Sequence, residues 1–219
     1  SASADDSDSS SDAATGTGKG CAPGGTARPE GANAALTQDL DGDGKDDTLW
    51  LAHQAASACS GWRRPGGARF STEFTTPGPL PLANAVAGRL GDGSAVILLD
   101  IGDEARLFAV TGCKIVKTIN ALDKQYSFDK TMRYGTGTGC PALGAEQGRQ
   151  LVGYLAKPVG GGAGYVVIQT TIKLSKNGTR ATNGVEEVIG DGLPMSAQKV
   201  ARGQLIACGP GERVYEPED

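Results

Sequence analysis

Asp39-Leu40-Asp41-Gly42-Asp43-Gly44-Lys45-Asp46-Asp47 runs directly into Thr48-Leu49-Trp50-Leu51. With Asp39 as position 1, carboxylates fall at positions 1, 3, 5 and 9. Calcium takes about six to eight oxygens, and a short loop wraps such an ion when side-chain oxygens recur at alternate positions. Asp39, Asp41, Asp43 and Asp47 are therefore the candidate ligands, and Lys45 offers its backbone carbonyl. Gly44, at position 6, permits the sharp turn that a Cβ would penalise. Asp46 is expected to point to solvent. The alternative is an acidic turn that holds no metal, but its carboxylates would then repel one another without a cation.

The first half of this pattern is that of an EF-hand, but the bidentate Glu required at position 12 is replaced by Trp50. Thr48-Leu49-Trp50-Leu51 is β-branched, aromatic and aliphatic, which predicts a strand. Ala34 to Gln38 is too short for an EF helix, so the loop should join two strands. A strand–DxDxDGxxD–strand arrangement resembles the calcium loops of FG-GAP repeats, found in integrin-type propellers and bacterial VCBS-type secreted proteins. That resemblance implies propeller-like hairpins, a structural calcium ion and a role in adhesion or ligand binding.

Outward from the loop, a weak repeat emerges. Asn84 to Asp100 reads as a short apolar strand, a tight Leu90-Gly91-Asp92-Gly93-Ser94 turn, and then Ala95 to Leu99. Further strands are expected at Ala68 to Thr75, Ala105 to Val110 and Lys114 to Ile119. A third unit would begin near Tyr134, with strands at Gln150 to Ala156 and Gly164 to Leu174 and an Asn177-Gly178 hairpin turn. Val185 to Ile189 and Gln204 to Cys208 would close it, and Ser196 to Arg202 is the best helix candidate. Three units of about fifty residues are too few for a usual propeller. The expected fold is thus all-β: one small domain of propeller-like β-hairpin repeats behind a disordered N-terminal tether. Residues 1–22 read as a Ser/Asp/Gly-rich linker, 23–209 as the calcium-binding domain and 210–219 as a flexible acidic tail.

The 219 residues include 34 glycines and only 5% aromatics, which suits many short strands and turns. Formal net charge is −4. Asp5, Asp6, Asp8 and Asp12 against Lys19 give residues 1–20 a net of −3, leaving −1 elsewhere. No basic field for nucleic acid exists, and no apolar run approaches the roughly 18 residues of a membrane span. Residues 1–20 hold no large apolar side chain and cannot bury a core. They resemble the tether after the lipid-modified cysteine of actinobacterial surface lipoproteins, which implies a lipid anchor at a removed N-terminus. An ordinary secretory linker is the alternative, and both place the protein outside the cytoplasm.

Cys21, Cys59, Cys113, Cys140 and Cys208 include no C-x-x-C pair, and His53 is the sole histidine. That argues against zinc and for disulfides in an oxidising setting. Cys113 and Cys140 flank a unit boundary and are the expected bridge, with Cys21, Cys59 and Cys208 left open for a second.

Nothing in the chain spells out catalysis. Ser127-Phe128-Asp129-Lys130 matches S-x-x-K without its S-D-N or K-T-G companions. Gly135 to Gly139 lacks the Gly-Lys-Ser/Thr ending of a phosphate loop and reads as a flexible turn. Asp100, Asp103 and Glu104 read as a solvated acidic turn. Trp62-Arg63-Arg64 is either a ligand patch with an aromatic platform or a solvated loop. The expectation is a surface-tethered binding module for an extracellular protein or glycan, with a secreted hydrolase or its accessory subunit as the competing class.

Overall fold

A computed structural model describes residues 20–218, apart from 26, 55–56, 64–66, 76–81, 132–134, 145–147 and 163. Residues 1–19 of the expected tether lie outside the described residues, as do Arg64 and the side chains of His53, Cys59, Trp62 and Arg63.

The fold is all-β and antiparallel. The first sheet is a meander of β1 (Asn33–Thr37), β2 (Asp47–Gln54), β3 (Ser57–Arg63) and β4 (Arg69–Phe74). The second runs through β5 (Asn84–Arg89), β6 (Ala95–Asp100), β7 (Glu104–Thr111) and β8 (Lys114–Lys117), with β9 (Ser127–Asp129) also pairing β7. The third orders β10 (Gly135–Gly139), β11 (Val152–Pro158), β12 (Tyr165–Ser175) and β13 (Arg180–Leu193). One short helix, α1 (Gln198–Arg202), follows, and β14 (Val214–Tyr215) returns to pair with β5. Among the described residues, no helix is long and apolar enough to cross a membrane.

β6 explains how the sheets stack. Its run Ala95-Val96-Ile97-Leu98-Leu99 is buried throughout, as a strand covered on both faces must be. Alternation along a strand sends neighbours to opposite faces. Ala95, Ile97 and Leu99 join a cluster with Leu49, Leu51 and Phe74 of the first sheet. Val96 and Leu98 join Leu151, Ile172 and Ala181 on the side of the third sheet. The second sheet is therefore the middle layer.

The first connection of each sheet meets the others at one end of the molecule. The Gly91 N–H donates to Arg149 O at 2.7 Å. Gln38 Oε1 accepts from Arg89 N at 3.1 Å and from Arg149 Nη1 at 2.9 Å. In the β5–β6 turn, Gly93 adopts φ 85° and its N–H reaches Leu90 O at 3.0 Å. In the β12–β13 turn, Asn177 and Gly178 have φ 55° and 84°, the positive values expected of a type I′ turn.

Four expectations are corrected. Cys113 does not bridge Cys140: the disulfides are Cys21–Cys113 and Cys140–Cys208. Cys113, on the β7–β8 turn, packs with the cluster facing the first sheet, whereas Cys140 belongs to the cluster facing the third. The middle sheet separates them, and the linker boundary moves before Cys21, which is buried. Gly135–Gly139 is a strand, β10, rather than a flexible turn. A Cβ at Gly137 would lie 2.5 Å from Arg202 O and 2.7 Å from Leu205 O, so only glycine lets the segment after α1 come this close. Residues 210–218 are not a free tail, because β14 pairs with β5 and Glu216 is buried with its carboxylate accepting from Ala83 N.

Candidate metal centre

The nine-residue loop connects β1 to β2, and Thr37 pairs with Asp47 at its base. Gly42 and Gly44 take φ of 82° and 84°, so the chain coils tightly and turns its amides inward. Asp39 Oδ1 accepts from Gly42 N at 2.6 Å and Asp43 N at 3.1 Å, and its Oδ2 accepts from Gly44 N at 2.8 Å. Asp41 Oδ1 accepts from Asp43 N, and Asp43 Oδ1 accepts from Lys45 N. These bonds hold the side chains in place. One oxygen from each of Asp39, Asp41 and Asp43 lies within 4.8 Å of the others.

Asp47 stands apart from that group of three. It is fully buried at the start of β2, where Oδ2 accepts from Leu40 N at 2.7 Å. Its Oδ1 is buried with no hydrogen-bond partner. Burial pushes the Asp47 carboxyl up to about 7, against the downward pull of the Leu40 amide, and the charges of Asp41, Asp39 and Asp43 add to the rise. The other three carboxylates can rest on the loop's own amides. Asp47 has only the Leu40 amide for one of its oxygens, and an acidic turn without a cation leaves the other unexplained. A set of four carboxylates with no nitrogen or sulfur suits a hard cation such as calcium. Lys45 and Asp46 are exposed on the outer side of the loop.

The loop is braced from two directions. Arg89 Nη1 donates to Asp39 O at 3.2 Å. Cys21 N donates to Asp41 Oδ2 at 2.8 Å, so the segment tied down by the Cys21–Cys113 bridge also touches a candidate ligand. Sequence reading did not find this contact, since Cys21 and Asp41 are linked only through the fold.

The remaining sequence candidates separate. β9 is a strand that ends at Asp129, so Ser127 and Lys130 are not set one helical turn apart as in S-x-x-K catalysis. Lys130 Nζ is 2.7 Å from both Asp100 oxygens, and Ser127 hydrogen bonds Glu104. Burial alone would raise the Glu104 carboxyl, yet the bonds from Ser127 and Arg106 bring it below its usual value. Asp100 is therefore buried and ion-paired, not part of a solvated turn, while Asp103 is exposed. Comparison with known protein families, curated proteins and solved structures finds no match for this chain.

Proposed function

We propose that this is an extracytoplasmic calcium-binding β-repeat protein of FG-GAP/VCBS type, a surface-tethered binding or adhesion module whose ion is structural. The observation that carries the metal reading is the orphaned, buried Oδ1 of Asp47 behind three clustered carboxylates. The ion would be held by Asp39, Asp41, Asp43 and Asp47 with the Lys45 carbonyl, and would supply charge neutralisation and strand register. Two disulfides suit an oxidising compartment. The repeat reading draws support from three antiparallel meanders whose first loops gather at one end. A protein or glycan outside the cell is the partner this reading implies.

Calorimetric titration of calcium into EDTA-stripped protein tests the site. Wild type should bind one ion and gain about 2.7 kcal/mol at a hundredfold excess over Kd. Asp41→Ala with Asp43→Ala should abolish that gain and remain folded at low temperature. No heat and no melting shift at millimolar calcium would leave the loop as an acidic turn.

A further inference from the structure

The outward face of the first sheet carries a second, differently charged feature. Leu49 and Leu51 of β2 face the core, so Thr48 and Trp50 face the other way. The chain before β1 crosses this face: Gly24 O accepts from Arg69 N at 2.7 Å, and Ala32 packs on Trp50. Between that segment and the sheet lies a cavity of about 260 Å3 lined by Ala27, Arg28, Thr48, Trp50 and Arg69. Among the described residues no carboxylate lines it, and neither the Arg28 nor the Arg69 guanidinium has an ion-pair or hydrogen-bond partner. Trp50 is 1% exposed, and its Nε1 is buried without an acceptor. In the strand register Arg63 lies between Thr48 and Arg69.

Among the described residues, every charged or orphaned group at this cavity is thus a donor, on a protein whose net charge is −4. Guanidinium groups are the usual partners of planar or tetrahedral oxyanions because their fork of N–H donors matches two oxygens at once. Two such groups around one cavity repel until an anion lies between them, and a buried indole N–H without an acceptor is costly.

We propose that this cavity is an oxyanion-binding site, with Arg28 and Arg69 as charge partners, Thr48 as a hydroxyl donor and the Trp50 indole N–H as the donor now lacking an acceptor. Its ligand is a carboxylate, sulfate or phosphate group. Such oxyanion chemistry fits a module that recognises a partner by its anionic groups. The site uses none of the calcium ligands and stands whether or not the loop holds metal.

The test follows the tryptophan indole N–H resonances of 15N-labelled full-length protein during titration with sodium sulfate, phosphate or acetate, at ionic strength held constant with chloride. Trp50→Phe identifies the Trp50 signal and removes the donor. A saturable shift of that signal is expected. Saturation by acetate alone assigns a carboxylate ligand, whereas saturation by sulfate or phosphate assigns an ester oxyanion. Arg28→Gln and Arg69→Gln should each weaken the midpoint about tenfold, or 1.4 kcal/mol. Both residues are at least partly exposed, so unchanged resonances of the middle sheet verify folding of the variants. No saturable shift with any of the three anions would overturn the proposal, as would a shift that survives in the double arginine variant.

Discussion

Asp47→Asn should stabilise the metal-free protein and abolish its response to calcium. The wild-type residue is an acid that ionises near 3.8 in the unfolded chain and holds its proton to about 7 in the fold. The folded state therefore binds the extra proton between these values. Stability is fully present below the lower one and is lost as pH rises through the upper. Three pKa units correspond to about 4 kcal/mol. The amide keeps an oxygen for the Leu40 N–H and removes the charge that Asp39, Asp41 and Asp43 disfavour. Its own burial costs about 1 kcal/mol, so the net gain at pH 8 is about 3 kcal/mol. For a chain of this length that raises Tm by roughly 6–12 °C. Thermal melts in EDTA between pH 4 and 8 read both the offset and its growth with pH. Calcium should then raise wild type and leave the variant unmoved. A variant that melts below wild type in EDTA at pH 8 would refute the reasoning, because the Asp47 carboxylate would then be a net stabilising group without metal.

The disulfides offer an internal control. Cys21→Ser with Cys113→Ser should weaken calcium binding about tenfold, since the Cys21 N–H that holds Asp41 is freed, and supporting contacts of this kind typically matter by that factor or more. Cys140→Ser with Cys208→Ser should leave calcium affinity unchanged, although each pair closes a long loop and its loss costs about 4–5 kcal/mol on the chain-entropy model. Equal calorimetric Kd values for the two variants would remove the bridge from the site. Gly137→Ala should destabilise the fold by about 1–3 kcal/mol through overpacking against the Arg202 and Leu205 carbonyls, measured by urea denaturation.

Local signals in the sequence translated well into local structure. The strand after the nonapeptide, the apolar run of β6, the two turns with positive-φ residues and a short helix over Gln198–Arg202 are present, because period, β-branching and turn chemistry act over a few residues. What did not carry through depends on which sheet faces which. The cysteine pairing follows from the middle sheet dividing the core. Gly135–Gly139 looks flexible until α1 and its following segment press on it. Val214 sits among charged neighbours, yet the residues around it close on β5 and bury Glu216. At the acidic loop the four carboxylates and their spacing were legible, but the orphaned Asp47 oxygen was not, since burial is a property of the assembled sheets. Arg28 and Arg69 are likewise brought to one cavity only by the segment that crosses β4.

The Cys21–Cys113 bridge also sets how the molecule would carry mechanical load. Its cysteines are 92 residues apart and join the start of the fold to the turn between β7 and β8. Tension applied to the chain before Cys21 passes through the sulfur atoms into the middle sheet. The whole first sheet and the acidic loop lie inside the closed ring, and the force bypasses them. Reduction of that single bond would put the segment before β1 in line with the pull, where its contacts with Arg69 and Trp50 would be the first to peel, followed by β1 and the loop.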